Sequence, residues 1–218
     1  MSKHNKTNKD INIIYLGIYK WDSEKPIRIS QIFNSSLFSI FTKSSISDLC
    51  SSITRYLVKS SPPGTQKNII CTEEMNYAYF TNNHTIFINT NQHGICYTIL
   101  ATKEYPDRLL LNLVSDADKE IEKSLSDNII KCTHGDINIR LNDIEELIIF
   151  NKLLNNDKIS QIDNDLDDIK NIMVENISSI LETGEKLGTL IDKSEELEIT
   201  SRRFVDDSKK LNSCCLIL

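Results

Sequence analysis

The hydrophobic pattern from Ile11 to Lys20 is strand-like, with Ile13, Tyr15 and the Ile18/Tyr19 pair carrying the signal. Trp21-Asp-Ser-Glu-Lys-Pro26 has turn chemistry, and Ile27, Ile29 and Ile32 or Phe33 mark a second strand folding back as a hairpin. The period then lengthens. Ser45-Ile-Ser-Asp48 fits a capping box, and Ile46, Leu49, Ile53 and Leu57 follow at helical spacing until Ser60-Ser-Pro-Pro-Gly64 stops the helix. Three β-rich runs come next, at 67–80, 84–90 and 94–102. Asn- and Gly-rich pieces separate them, which predicts antiparallel hairpins. After Glu104-Tyr-Pro-Asp107 a helical stripe of Leu109, Leu113, Ala117 and Ile121 appears. A shorter helix from Asn142 to Leu154 follows it. The order ββαβββαα, after a polar tail over 1–10, predicts an α+β layer domain with a five-stranded antiparallel sheet over 11–154.

From Asn155 the pattern changes to one narrow stripe with strict 3,4 spacing. Its positions are Ile159, Ile162, Leu166, Ile169, Met173, Asn176, Ile180, Thr183, Leu187, Leu190, Ser194, Leu197, Ser201, Phe204, Ser208 and Leu211. Eleven of the sixteen are apolar and the rest are small or uncharged, while Asp, Glu, Lys and Asn fill the other faces. Two glycines, Gly184 and Gly188, are its only helix-weakening residues, and no proline follows Pro106. An ordinary amphipathic helix packing on its own domain rarely keeps a 3.5-residue period for seven heptads, so the stripe reads as a coiled-coil seam over 157–211. So thin a seam does not hold a lone helix together in water. It needs partner helices, or the first domain, to cover it.

Composition narrows the class. With 26% charged and 39% hydrophobic residues over 218 positions, the chain suits one cored domain plus an extended segment. A net charge of −6, without a dense Lys/Arg cluster, argues against nucleic acid. The polar start has no signal-peptide apolar region, and Ser2 excludes myristoylation. No apolar run approaches membrane-spanning length. The expectation is a chain made in the cytosol, where Cys50, Cys71, Cys96 and Cys132 are buried free thiols and the sequons at Asn34, Asn83 and Asn176 are irrelevant. The glycines form no phosphate-binding loop, which removes a Ras-like GTPase. His4, His84, His93 and His134 accompany no nucleophile or metal-ligand spacing, so no cofactor and no catalytic role are expected.

The chemistry sits at Cys214-Cys215-Leu216-Ile217-Leu218, whose last four residues form a prenyl-acceptor pattern. Terminal Leu favours geranylgeranyl over farnesyl on Cys215. Cys214 offers a palmitoyl or second prenyl site, since one chain gives only reversible membrane attachment. Lys209 and Lys210 add a weak attraction to anionic lipid.

Ile180-Leu-Glu-Thr-Gly-Glu-Lys-Leu187, followed by Leu190, Ser194 and Phe204, resembles the central SNARE motif of synaptobrevins. Gly184 to Leu187, Asp192-Lys-Ser-Glu195 and Asn212-Ser-Cys-Cys215 are similar to the prenylated YKT type, longin SNAREs without a transmembrane anchor. Glu104-Tyr-Pro-Asp-Arg108 matches the longin part. The resemblance implies a non-enzymatic membrane-fusion protein with a regulatory longin domain over 11–154. It implies a SNARE helix over 157–211 that joins three Q-type partner helices, and a lipidated tail over 212–218 that a prenyltransferase modifies. It also implies cycling between cytoplasm and the cytosolic face of Golgi, endosomal or vesicle membranes, and a closed form in which the longin domain holds the SNARE segment. Two positions depart from the family. Thr183 stands where members carry the arginine of the central polar layer, and Ser52 stands where an aromatic on the first longin helix helps dock the SNARE segment. The missing arginine leaves open a non-fusogenic, inhibitory SNARE. A lipid-anchored trafficking scaffold is the third reading.

Overall fold

Alternating side chains make the first strand a two-faced element, and both of its faces are covered. In the computed structural model, which describes residues 11–40, 42–71, 83–124, 135–156 and 172–177, β1 (Ile13–Lys20) is buried at seven of its eight positions. It pairs antiparallel with β2 (Ile27–Phe33) on one side and with β5 (Ile95–Thr102) on the other. Antiparallel β4 (His84–Thr90) and β3 (Gln66–Ile70) continue the sheet, and β6 (Met173–Asn176) adds to β3 in parallel. The strand order is β2-β1-β5-β4-β3-β6.

Helix α1 (Lys43–Lys59) packs on one face. There Ile46, Leu49, Ile53 and Leu57 meet Tyr15, Tyr19, Ile86 and Leu100 in one buried cluster. Helices α2 (Asp107–Ser124) and α3 (Asn142–Ile149) cover the other face, where Leu110, Leu113, Ile121, Ile144 and Ile148 join Leu16, Ile18, Phe87 and Ile99. The expected α+β layer architecture is therefore present, with both helical stripes turned inward.

The described part of the run expected over 67–80 holds strand β3, and residues 72–82 lie outside the described ones. Three differences have physical causes. Helix α1 starts at Lys43, so Ser45 falls within its first turn and the capping box does not open the helix; Thr42 bonds back to Ser39 instead, with 3.0 Å between their hydroxyl oxygens. The helix expected over Asn142 to Leu154 is broken into α3 and α4 (Lys152–Asn156) by Asn151 at φ 49°. Asparagine tolerates that left-handed conformation, and its amide donates to the Ile11 carbonyl at 2.7 Å. The continuous helix expected over 157–211 does not hold at Met173–Asn176, which is strand β6. A narrow apolar seam without partner helices gives little reason to be helical, whereas an open sheet edge supplies backbone partners at once. The stretches 157–171 and 178–211 lie outside the described residues.

The opposite edge of the sheet is covered too. Ile137 and Ile139 donate backbone hydrogen bonds to the carbonyls of Arg28 and Ile29, both at 2.9 Å. Asp136, at the start of this strap, accepts the Arg28 N–H at 2.9 Å and pairs with the guanidinium of Arg55. Burial pushes the Asp136 carboxyl up, but the bonds from Arg55 and Arg28 prevail and hold it below the usual carboxylate range.

Candidate functional site: the sheet edge holding residues 172–177

Without β6, strand β3 would present a row of unpaired N–H and C=O groups to solvent. Its sequence, Gln66-Lys-Asn-Ile-Ile70, also carries a charge in an unusual place. Alternation puts Lys67 on the same face as Ile69, which belongs to the α1-side core, and Lys67 is only 4% exposed. A buried ammonium is costly unless paired. Its partner is Glu175 on β6, whose Oε2 lies 3.2 Å from Lys67 Nζ.

The parallel register sets this meeting. Lys67 stands opposite Met173, Asn68 opposite Val174, Ile69 opposite Glu175 and Ile70 opposite Asn176. Successive residues of the segment point to opposite faces of the sheet. Ile172 packs against the core on the α2 side, while Ile177 is fully buried in the α1-side core with Ile46, Leu49, Ile69 and Ile86. Between these anchors Met173 and Val174 remain largely exposed, and Asn176 is exposed as well. The segment is thus held by its two isoleucines, four strand pairings and one ion pair.

Two of the sixteen seam positions, Met173 and Asn176, are among the described residues, and both are exposed here. The other fourteen, together with Cys214 and Cys215, lie outside them. Ser52 is half-buried on α1, and its hydroxyl donates to the Asp48 carbonyl of its own helix at 2.9 Å. Lys67, Glu175 and Ile177 were not legible as a site. The β-branched residues Ile172, Val174 and Ile177 were the available signal, and the helical stripe running through 173 and 176 masks it.

Cys50, Cys71 and Cys96 are buried free thiols, as expected; Cys132 lies outside the described residues. Burial pushes the thiols of Cys71 and Cys96 up to about 12, and that of Cys50 higher still, so none is a ready nucleophile. Among the described residues no cluster of His, Cys, Asp and Glu could hold a metal ion, and no helix is long and apolar enough to cross a membrane.

The Synaptobrevin family model matches residues 158–217, which spans the seam and the two terminal cysteines. Full-length relatives are similar throughout. "Synaptobrevin homolog YKT6" of Debaryomyces hansenii is 30% identical over 215 residues, covering 95% of this chain and 100% of that protein. The Saccharomyces cerevisiae protein of the same name is 27% identical over 210 residues, with 95% and 100% covered. "VAMP-like protein YKT61" of Arabidopsis thaliana is 27% identical over 197 residues, with 90% and 94% covered.

Proposed function

The chain belongs to the synaptobrevin family, among homologues of the YKT6 type, and on that footing we propose that it is a lipid-anchored fusion SNARE regulated by its own N-terminal domain. SNAREs act in vesicle trafficking and are not enzymes, so the useful chemistry is association rather than catalysis. In the proposed reading, residues 157–211 form one helix of a four-helix bundle with three Q-type partners. Zippering runs from Ile159 toward Leu211 and draws the lipidated end to the opposing membrane, at the cytosolic face of Golgi, endosomal or vesicle membranes. Residues 11–154 act as the longin module. Cys215 accepts a geranylgeranyl or farnesyl group from a prenyltransferase, and Cys214 a palmitoyl or second prenyl group; Cys215-Leu-Ile-Leu218 has the composition such an enzyme selects.

The observation that carries this reading is a coincidence of ranges. The family match over 158–217 falls on the same residues as the heptad stripe from Ile159 to Leu211. The strand at Met173–Asn176 supports a closed form of the unpartnered chain, because pairing with β3 withholds two seam positions from any helix. The test is circular dichroism of segment 155–212 alone and mixed with three Q-type SNARE helices, followed by liposome fusion with the lipidated chain. Helicity well above the sum of parts, with fusion, is expected. A lone segment that is already fully helical and stays monomeric would sink the bundle reading.

Thr183 favours one second reading. A central layer without the arginine's charge and forked donors suits an inhibitory SNARE that fills a bundle position without driving fusion. Bundle formation without liposome fusion would select it.

A further inference from the structure

Residues 172–177 follow two patterns at once. Read with a period of 3.5, Met173, Asn176 and Ile180 lie on the seam, so Glu175 falls on the outer face of the bundle helix and Ile177 at its flank. Read with a period of two, Met173, Glu175 and Ile177 share the face that looks toward α1. In the docked strand burial falls on the two residues that lie off the seam: Ile177 is fully buried and Glu175 half-buried against Lys67, while the seam residues Met173 and Asn176 are exposed.

We infer that Glu175 and Ile177, received by Lys67 and the α1-side core, are a latch that serves the docked state alone, so closure and bundle assembly are set by different residues of one segment. The inference rests on the closed form proposed above and deepens it. Three observations support it. Lys67 is 5% exposed at its side chain, in a position that tolerates a cation only with a counter-charge, and Glu175 supplies that charge from the docking segment itself. Ile177 enters a core otherwise built from the N-terminal domain, so its burial is available only when the segment lies along β3. Neither residue occupies a layer position between bundle helices: Glu175 falls on the outer face of the helix and Ile177 beside the seam. Lys67 also fixes register. A two-residue slip of β6 that brings Met173 opposite Ile69 would carry Glu175 away from Lys67 and leave the ammonium without its counter-charge.

The experiment uses the full chain. Amide hydrogen exchange of residues 173–177 is measured in the parent and in Glu175→Lys, Ile177→Ser and Met173→Ser. Melting of the complex with three Q-type SNARE helices is measured for the same set. Glu175→Lys and Ile177→Ser are expected to speed exchange by about tenfold or more while leaving the melting temperature of the complex near the parent's. Met173→Ser is expected to lower that melting temperature. The double reversal Lys67→Glu with Glu175→Lys should bring exchange back to within about threefold of the parent, because the pair is rebuilt with its charges swapped. Exchange in Ile177→Ser and Glu175→Lys that matches the parent overturns the latch. So does a complex that Ile177→Ser weakens as much as Met173→Ser does. Glu175→Lys and Ile177→Ser change only the docked segment, so domain folding is preserved even where Lys67→Glu disturbs it. Exchange is read on the chain by itself, so a failure to assemble with partners would count against the SNARE reading and leave the latch result standing.

Discussion

The hydroxyl oxygens of Tyr15 and Tyr19 lie 3.1 Å apart on the α1 face of the sheet, and the residue between them on that face is Gly17. Tyr19 also bonds Thr54 of α1 at 2.8 Å, so the pair carries a polar contact through a fully buried layer. Burial pushes the Tyr15 phenol well above its ordinary range and raises that of Tyr19, which keeps both neutral. A Cβ on Gly17 would stand 2.6 Å from the Tyr19 ring, 2.8 Å from that of Tyr15 and 2.9 Å from Thr98 Oγ1. Gly17→Ala should therefore force the rings apart and destabilise the domain by about 1–3 kcal/mol, as overpacking does. Thermal unfolding of the variant measures this; an unchanged melting temperature would show that the rings have room to move.

The strands on either side of that glycine were legible because both faces of the sheet are buried and their turns carry strong signals. The hairpin between β4 and β5 has Gly94 at φ 78° and Asn91 accepting from two backbone N–H groups, of His93 and Ile95. Helices α1 and α2 were legible from stripes that do pack inward. The strap from Asp136 to Ile139 gave no signal, since it is held mainly by the backbone of β2 and by arginines distant in sequence. Strand β6 was illegible for the opposite reason. Its residues carry a clear helical pattern meant for partners, and the competing strand pattern becomes decisive only beside a β3 edge that holds a buried lysine.

That strap makes the N-terminal domain sensitive to acid. The Asp136 carboxyl is held below its ordinary value in the folded chain, so its contribution is fully present above the unfolded pKa near 3.9. It is lost as pH falls through the lower folded value. Asp136→Asn removes the charge that Arg28 and Arg55 share and should cost about 1.5–3 kcal/mol at neutral pH. It should also flatten the loss of stability below about pH 4. Urea midpoints measured from pH 3 to pH 7 test both; parallel curves for parent and variant would mean that the carboxylate does not carry the acid response.

Membrane attachment should depend on Cys214 and Cys215 unequally. Cys215→Ser removes the proposed prenyl acceptor and should leave the chain in the soluble fraction of cells. Cys214→Ser should leave weak, reversible binding, because a single chain, at about 0.8 kcal/mol per buried CH₂, is marginal. Fractionation and mass spectrometry of the C-terminal peptide check this. Cys215→Ser protein that still sediments fully with membranes would refute the anchor.

The last prediction concerns Thr183, where the family carries an arginine. In the proposed bundle, Ile180, Leu187 and Leu190 fill neighbouring layers, each contributing on the order of 1.5–3 kcal/mol when fully buried. Assembly should therefore survive the polar change. Its register is what weakens: an arginine amid three glutamine carbonyls makes charge-assisted bonds that fix which layers align, whereas a threonine hydroxyl meets one of them. Each glutamine left unsatisfied costs about 1–3 kcal/mol. Thr183→Arg, assembled with partners carrying three central glutamines, should raise the melting temperature of the complex. Leu187→Asp, one layer away, buries a carboxylate without a partner and should prevent assembly. If the arginine variant melts lower instead, the partners of this chain do not present glutamines at that layer. Arginine would then be a cation buried without acceptors, and the inhibitory reading of the threonine would displace the fusogenic one.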